Sequence, residues 1–275
     1  AGVEALGYLP KCADVEIPSR HLGLSLDEDF CFEEFADRVA ELVEKYVDID
    51  RLLELTKQVA PAALPMSVSH RTYRREPSFT VAIARDPAFN FMYEANIRYL
   101  HHLGEVTYFS PLADTSLPDA GFVYLPGGYP ELYLAALSAN RLMLQSIRRY
   151  VENGGKLLAE CGGMMYLCDE IRDKNGDVYP MAGVLHQSAT MENMKLRLGY
   201  RTLLYNDARL KGHEFHYSRL VEQQDPLPSC AVAYTAKGVE TYTPLYHYKN
   251  VWAGYTHLYW ADPAGNDWFT KFIIK

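Results

Sequence analysis

The feature that most constrains this chain is a short apolar run that ends at a cysteine between glycines. Residues 154–167 read GGKLLAECGGMMYL. Glycines bound the run on both sides, and an apolar series at helical spacing follows it. We therefore predict a buried strand over residues 156–160, a sharp turn at Cys161 and a helix immediately after the turn. A side chain on such a turn stands clear of both elements, above the first N–H groups of the helix.

Cys161 admits two interpretations. A cysteine is most often a small buried hydrophobic residue, which would make its role purely structural. Alternatively, the backbone N–H groups and the dipole of the helix would favour a thiolate and any oxyanion that forms beside it, as a nucleophile requires. Spacing alone favours the structural role, so the rest of the chain has to decide between the two.

Strands and helices alternate around this stretch. Predicted strands cover residues 79–84, 105–109 and 121–125, and predicted helices run up to residue 103 and over residues 140–153. Such alternation is typical of an α/β, flavodoxin-like fold with a mostly parallel central sheet flanked by helices. In such sheets the chemistry lies beyond the carboxyl ends of the strands. Gly127 and Gly128 follow one predicted strand and Gly162 follows another, which strengthens the nucleophile interpretation of Cys161.

From about residue 184 the chain becomes rich in tyrosine and in β-type segments with Gly and Pro turns. The predicted strands are residues 196–205, 214–221, 230–236, 241–248 and 251–260. They predict hairpins, or a β-rich extension of the central sheet, in the C-terminal half. A last helix is expected to open at Asp262 and Pro263 and to run to about residue 273.

The first part of the chain has a different character. An isolated strand-like segment precedes an irregular loop, which suggests a truncated protein. A helix follows, for which Ser25 and Glu28 could form a capping box, and a second short helix is predicted after Asp50. Residues 60–78 contain three prolines, a basic cluster and little periodicity, and we interpret them as an interdomain linker. The predicted domains are therefore residues 1–59 and 79–275.

Composition disfavours several classes of partner. A formal net charge of −8 and a pI near 5.6 argue against nucleic acid or an anionic membrane. No apolar run is long enough to span a bilayer, and no secretory signal is present in the sequence. The five cysteines are scattered without a C-x-x-C pair, which fits reduced thiols in a cytoplasm better than disulfides or a zinc site; they are Cys12, Cys31, Cys161, Cys168 and Cys230.

A nucleophilic cysteine needs a base for its proton and donors for the tetrahedral oxyanion. The backbone N–H groups of Gly128 and Gly162 could be the donors, because glycine lets the backbone approach a substrate closely. His257, near the end of a predicted strand, and His216 are the candidate bases. A structural histidine held by its neighbours is the alternative for each of them.

The second histidine lies in the motif GHEFHYS, residues 212–218. Strand alternation places Glu214, His216 and Ser218 on one face and His213 on the other. A metal site that uses both histidines is therefore disfavoured, because a strand points them apart, and no metal is expected.

Several motifs resemble, in the same order, those of the glutaminase domain of cobyrinate a,c-diamide synthases. They are VAIARDPAFNFMY at residues 81–93, YLPGGYPE at 124–131, ECGG at 160–163, GHEFHYS at 212–218 and YTHL at 255–258. A further motif, SRHLGL at residues 19–24, is similar to the one that closes the ATP-binding domain of this family. The resemblance covers nearly the whole chain.

This resemblance implies a class I glutamine amidotransferase domain. Cys161 would attack the side-chain amide of L-glutamine, form a thioester and release ammonia, and His257 would activate it. Gly128 and Gly162 would supply the oxyanion hole, and Gly127 would belong to the same glutamine-binding turn.

One position departs from the wider class. Many of its members carry a glutamate two residues after the histidine, where this chain has Tyr259. The cobyrinate branch is similar in lacking that glutamate, so a Cys–His dyad is expected. What orients His257 stays open, as does any supporting role of Glu214 or His216. Glu160 is interpreted as a strand-end neighbour and not as a catalytic acid.

The resemblance also implies partners that lie outside these residues. Full-length relatives carry an N-terminal P-loop domain that uses ATP and Mg²⁺ to activate two carboxylates of a corrinoid acceptor, which ammonia then converts to amides. No G-x-x-x-x-G-K-[ST] motif occurs in the 275 residues. Residues 1–59 are therefore expected to be a remnant of that domain, and the chain is expected to use no cofactor itself and to hydrolyse glutamine at best.

Some questions stay open at this point. The acceptor could be cobyrinate, hydrogenobyrinate or a nickel sirohydrochlorin, and an oligomer is possible. A cysteine hydrolase with a similar nucleophile turn is one alternative function. A non-catalytic domain that docks a synthetase is another, although Cys161 and His257 are both present.

Overall fold

The computed structural model describes residues 3–16, 19–20, 23–24, 31–57, 79–224 and 226–274. The chain divides into two compact units, Ala1–Thr72 and Tyr73–Lys275. Ser25, Glu28 and the whole predicted linker over residues 60–78 lie outside the described residues, which resume at residue 79.

The first unit is small and mostly helical where it is described. Its elements are a 3₁₀ turn (Ala13–Val15), the short antiparallel strands β1 (Ser19–Arg20) and β2 (Gly23–Leu24), and the helices α1 (Phe32–Tyr46) and α2 (Ile49–Lys57). The guanidinium of Arg51 on α2 pairs with the carboxylate of Glu4, at 2.9 Å between Nε and Oε1. The two helices lie where the sequence predicts them.

The second unit contains the remaining elements. In chain order they are β3 (Thr80–Ala84), α3 (Glu94–Leu103), β4 (Glu105–Phe109), β5 (Phe122–Leu125), α4 (Leu134–Ala139), α5 (Arg141–Glu152), β6 (Lys156–Glu160), α6 (Gly162–Leu167), β7 (Glu170–Arg172), β8 (Val178–Pro180), β9 (Ser188–Thr190), β10 (Arg197–Tyr205), β11 (Ala208–His216), β12 (Arg219–Leu220), β13 (Val232–Thr235), β14 (Glu240–Thr241), β15 (Leu245–Tyr248), β16 (Val251–Gly254), β17 (His257–Tyr259) and α7 (Pro263–Ile274).

A six-stranded sheet forms the centre of this unit, in the order β15-β16-β6-β5-β3-β4. All neighbouring pairs are parallel except β15 and β16. Side chains of β3 alternate between two buried clusters, so the sheet is covered on both faces. Ile147 of α5 and Met164 of α6 belong to one cluster, and Leu100 of α3 and Phe269 of α7 to the other. The predicted α/β fold is confirmed.

Two further sheets extend the C-terminal half, with the strand orders β14-β13-β10-β11-β17 and β12-β9-β7-β8. The β-rich extension is thus confirmed, but three of its predicted strands are wrong in their bounds. The strand predicted over residues 241–248 is two strands, because β14 belongs to the antiparallel sheet and β15 to the central one. The predicted strand over residues 214–221 begins earlier, because β10 and β11 form a long hairpin that turns at Asn206, where φ is +51°. Asparagine tolerates this left-handed conformation better than most residues do.

The predicted strand over residues 251–260 is in fact two strands in two sheets. β16 pairs with β6 in the central sheet, and β17 pairs with β11 in the antiparallel one. The chain changes sheet at Tyr255 and Thr256, between the two strands. Because the chain changes sheet here, His257 lies at the carboxyl edge of the central sheet and not within one of its strands. None of the helices within the described ranges is both long and apolar enough to cross a membrane.

Candidate active site

Cys161 occupies a strained turn between β6 and α6. Its φ is +48° and its ψ is −106°, a conformation that side-chain-bearing residues rarely adopt. The surrounding backbone holds it there: the Cys161 N–H donates to the carbonyl of Gly254 at 2.8 Å, and the Gly163 N–H donates to the carbonyl of Pro126 at 3.1 Å. The cysteine side chain therefore sits at the carboxyl edge of the sheet, as predicted.

The two glycine turns meet beside this cysteine. Gly128 has a φ of +159°, and a Cβ there would lie 2.1 Å from the carbonyl oxygen of Ala88. A Cβ on Gly162 would lie 3.2 Å from the nitrogen of Gly128. The backbones of Gly128 and Gly162 are thus in close contact, which any side chain would prevent. The structure brings the two predicted oxyanion donors to one place.

His257 fills a tight slot at the same edge. A Cβ on Gly127 would lie 2.2 Å from Cε1 of the imidazole, so the ring packs directly on the glycine backbone. The ring of Phe91 stands edge-on at 4.5 Å between centroids, and the ring of His213 stacks at 5.0 Å. His257 is 4% exposed. The Gly127–Gly128 turn therefore contacts both predicted catalytic residues. Gly127 packs on the ring of His257, and Gly128 packs on the turn that carries Cys161.

Burial governs the charge of both groups. Burial raises the pKa of the Cys161 thiol well above its ordinary value, and the charge of Glu131 raises it further, against the opposing effect of the Gly162 N–H. Burial also lowers the pKa of His257 to about 3, with a smaller contribution from His213. The resting pair is therefore a neutral thiol and a neutral imidazole, so a thiolate forms only if its proton passes to a base.

His216, the rival base, is held in a different environment. Its Nδ1 donates to the carbonyl of Ser218 at 2.8 Å, and its ring stacks on Tyr255 with centroids 3.8 Å apart. Its neighbour Glu214 pairs with Arg201, at 2.7 Å between Oε2 and Nη2. Glu214, His216 and Ser218 are buried and Phe215 is exposed, so the predicted alternation along this strand is confirmed.

A cavity of about 500 Å³ opens beside these residues. Charged side chains contribute to its wall, among them Arg197, Arg219 and Glu214. Three buried polar atoms of its lining have no hydrogen-bond partner among the described residues: Nε2 of Gln187, Nε2 of His216 and the hydroxyl of Tyr255. The lining contains neither Cys161 nor His257; its link to the cysteine turn is Tyr255, which directly follows Gly254, whose carbonyl accepts the Cys161 N–H.

Two side chains that the sequence analysis does not place beside His257 lie next to it in the structure. His213 lies opposite His257 in the pairing of β11 with β17, and its Nδ1 is 2.5 Å from the hydroxyl of Tyr93. Glu160 lies 4.0 Å from the histidine, between Oε2 and Nδ1. Only the register of β17 brings these groups together, and no local sequence pattern encodes that register.

A cysteine on a strained strand-to-helix turn, with a buried histidine and two close glycine backbones at the same sheet edge, is an arrangement that suits acyl transfer through a cysteine nucleophile. Residues 80–265 match the family model of the CobB/CobQ-like glutamine amidotransferase domain, and the chain belongs to this family.

Curated relatives match most of the chain. It is 36% identical over 268 residues to the cobyrinate a,c-diamide synthase of Salmonella typhimurium and 36% identical over 265 residues to the hydrogenobyrinate a,c-diamide synthase of Pseudomonas aeruginosa. Each match covers 94% of this chain and 58% of the relative. A match to the cobyrinate a,c-diamide synthase of Clostridium acetobutylicum, at 34% identity, covers 99% of this chain and 62% of the relative. The chain thus spans about three fifths of the length of these relatives.

Proposed function

We propose that this chain is the glutaminase part of a glutamine-dependent amide ligase of the cobyrinate a,c-diamide synthase type. The observation that carries the proposal is the strained turn at Cys161, which meets the Gly127–Gly128 turn and the buried His257 at one edge of the sheet. The order of the sequence motifs and the similarity to these synthases support it.

In the proposed reaction the proton of the Cys161 thiol passes to Nε2 of His257 as the sulfur attacks the side-chain amide carbon of glutamine. The N–H groups of Gly128 and Gly162 stabilise the oxyanion. His257 then returns the proton to the amide nitrogen, the C–N bond breaks and ammonia leaves. Water, deprotonated by the same histidine, hydrolyses the thioester and restores the thiol with release of glutamate.

The polar cavity next to the cysteine turn suits the rest of the glutamine molecule. Glutamine carries an α-ammonium and an α-carboxylate, and the wall offers both opposite charges, in Glu214 and in Arg197 and Arg219. Burial raises the pKa of Glu214, but the neighbouring His216 and Arg201 lower it by more, so its carboxylate stays ionised. In this proposal Glu214 and His216 bind substrate, and neither replaces His257 as the base.

The rest of the reaction belongs to the whole ligase. We propose that residues 1–59 are the end of an ATP-binding domain, that residues 60–78 link it to the amidotransferase domain over residues 79–275, and that ATP and Mg²⁺ are used by that first domain. The ammonia would amidate the a and c carboxylates of a cobyrinate-type acceptor. The names of the relatives leave both cobyrinate and hydrogenobyrinate as acceptors.

Ammonia release from L-glutamine tests the proposal directly. Cys161→Ala should abolish it, whereas Cys168→Ala should leave most of it, because this second buried cysteine lies at the far end of α6. A glutamine analogue with a diazoketone in place of the amide should label Cys161 alone, as read by mass spectrometry. Ammonia release that survives Cys161→Ala, or a wild-type chain that neither releases ammonia nor takes the label, would contradict the proposal.

A further inference from the structure

One buried carboxylate beside the site has no part in the reaction described so far. Glu160 is the last residue of β6 and immediately precedes the nucleophile. It is 2% exposed. Burying a carboxylate is costly unless it is paired or hydrogen-bonded, so its surroundings should show what it is for.

Both oxygens of this carboxylate are held in place. Oε1 accepts a hydrogen bond from the backbone N–H of Leu258 at 3.1 Å, and Oε2 accepts one from the hydroxyl of Tyr124 at 2.8 Å. Leu258 is the neighbour of His257, so the carboxylate is tied to the same short strand that carries the imidazole. Tyr124 lies on β5, in the middle of the central sheet, and is fully buried. The position of the carboxylate is therefore set by two strands at once.

One nitrogen of the His257 ring could take this carboxylate as its hydrogen-bond partner. Nδ1 of His257 is buried and has no hydrogen-bond partner among the described residues. Within that part of the chain, Glu160 is the only acidic side chain that comes within 4.0 Å of the imidazole. Closing this gap to a hydrogen bond requires a shift of about 1 Å. Hydrogen bonds in catalytic sites are often long in the free protein and shorten when substrate binds.

We propose that Glu160 is the positioning residue of His257: its carboxylate accepts the Nδ1 proton and so leaves Nε2 unprotonated toward Cys161. The inference rests on the proposed function for its catalytic consequence. The carboxylate that many relatives of the wider class place two residues after the histidine is replaced here by Tyr259, which is partly exposed and packs its ring against Tyr93. Glu160 would supply the same negative charge from the opposite direction along the chain.

The role of such a group is twofold. An acceptor at Nδ1 selects the tautomer that can take a proton at Nε2, and its charge stabilises the imidazolium once that proton has moved. Gly127 and Phe91 pack against the His257 ring and confine it, but neither residue gives Nδ1 a hydrogen bond. Glu160 also directly precedes Cys161, so one strand end fixes the backbone of both residues.

The proposal predicts a characteristic dependence on pH. Burial raises the pKa of Glu160 to about 8, although the bonds from Tyr124 and from the Leu258 N–H lower it. The titratable groups around it are Tyr124 on β5, Cys161 after β6, His257 on β17 and Tyr93 before α3. Ionised Glu160 is the form that accepts the Nδ1 proton, so the reactivity of Cys161 should rise as pH passes through about 8.

The rate of alkylation of Cys161 by iodoacetamide, measured from pH 6 to pH 10, tests this without requiring glutamine as substrate. Wild type should show a step near pH 8, and Glu160→Gln should lose the step and react at least about 10-fold more slowly above it. Glu160→Asp should recover part of the rate, and Tyr124→Phe should move the step to higher pH. Glu152→Gln, which removes an exposed carboxylate, is the matched control and should behave as wild type.

Glutamine hydrolysis provides the second measurement. Glu160→Gln should lower kcat roughly 100-fold or more, by analogy with loss of the carboxylate in other triads, and leave KM within about 2-fold. Nitrogen-15 NMR of His257 in the wild-type chain above pH 8, where Glu160 is ionised, should find the proton on Nδ1. This measurement covers the case of a variant that fails to fold. An unchanged alkylation profile in folded Glu160→Gln, or a proton on Nε2 in wild type, would overturn the assignment. If the wild-type chain does not hydrolyse glutamine but the alkylation rates depend on pH and on Glu160 as expected, the proposed substrate is wrong. The pairing of Glu160 with His257 would then still stand.

Discussion

The proposed nucleophile and the proposed base of this site are held in two different ways. Cys161 is held through backbone contacts: its N–H donates to the carbonyl of Gly254, and the backbones of Gly162 and Gly163 pack against residues 125–130. His257 is held largely through side chains: its ring packs on Gly127 and stacks on His213, and the side chain of Asn96 bridges the Leu258 carbonyl and the Trp260 N–H. Substitutions on the nucleophile side should therefore damage the fold, and substitutions on the base side should damage chemistry first.

The largest effect is expected for Gly163→Ala on the nucleophile side. A Cβ at this position would lie 2.2 Å from the backbone carbonyl oxygen of Leu125, and neither backbone can move without separating α6 from β5. We expect a loss of more than about 3 kcal/mol of unfolding free energy, as for severe overpacking, and little soluble protein. Urea denaturation followed by circular dichroism measures it.

Gly121→Ala is the matched control for that change. Its Cβ would meet the ring of Phe79 at 3.5 Å, an ordinary van der Waals contact. If Gly163→Ala unfolds at the same urea concentration as Gly121→Ala, the turn at Cys161 is less constrained than its contacts indicate. The contrast between the surroundings of Cys161 and those of His257 would then fail.

A smaller change in stability and a large change in rate are expected for Gly127→Ala on the base side. The new Cβ would lie 2.2 Å from Cε1 of His257, so the ring must move. Because the obstacle is a side chain and not a backbone, the fold should survive with a loss of about 1 kcal/mol, while a misplaced base lowers kcat about 100-fold. Glutamine hydrolysis and thermal unfolding on one preparation measure both quantities. Equal losses of stability in Gly127→Ala and Gly163→Ala would erase the distinction.

The smallest effect, measured over a single pH unit, is expected from the protonation of His257. Its pKa is about 6.5 in the unfolded chain and is lowered to about 3 by burial in the fold. Below pH 6.5 the unfolded state therefore binds a proton that the folded state does not, so stability is lost as pH falls toward 3. Each pH unit in this window removes up to about 1.4 kcal/mol.

Unfolding free energies at pH 6.5 and pH 5.5 for wild type and His257→Gln measure this term. His257→Gln should lose less stability than wild type over that interval, whereas His101→Gln, on the exposed surface of α3, should follow wild type. On the nucleophile side the sign reverses: the raised pKa of Cys161 means that its contribution is lost as pH rises above the ordinary thiol range. A variant His257→Gln with the wild-type slope would show that the histidine is not buried neutral.

The turn at Cys161 and the surroundings of His257 also differ in how well the sequence predicts them. The turn at Cys161 and the parallel strands around it follow from contiguous patterns: glycine pairs that end apolar runs and a helical series after them. The predicted fold and the order of these elements are confirmed. The strands of the C-terminal half are located less well: the predicted strand that ends at residue 205 stops at the hairpin turn, but most of β11 after it is missed because its inward positions beyond Leu210 are Gly212, Glu214 and His216, which give no apolar alternation.

The environment of His257 shows where sequence reasoning stops. The motif identifies the histidine, but residues 255 and 256 carry no local signal that the chain leaves one sheet for another. The nearest sign is Gly254, where a Cβ would lie 2.8 Å from the carbonyl of Pro244. The neighbours of the ring come from elements about 160 to 40 residues away in sequence, and their meeting is a property of register and packing. The roles of Cys161, His257 and the glycine N–H groups stay predictions.

The change of sheet between β16 and β17 has a consequence for how this site can be altered. Gly254 holds the backbone of the nucleophile, and three residues later the same segment presents the base. Tyr255 and Thr256 thus form a spacer of fixed length between the backbone contact of Cys161 and the imidazole of His257. Lengthening or stiffening this spacer would change the approach of sulfur to imidazole without substituting either group. Because Tyr255 also lines the polar cavity, Thr256 is the position at which the proposed release of ammonia can be adjusted with less effect on the proposed glutamine site.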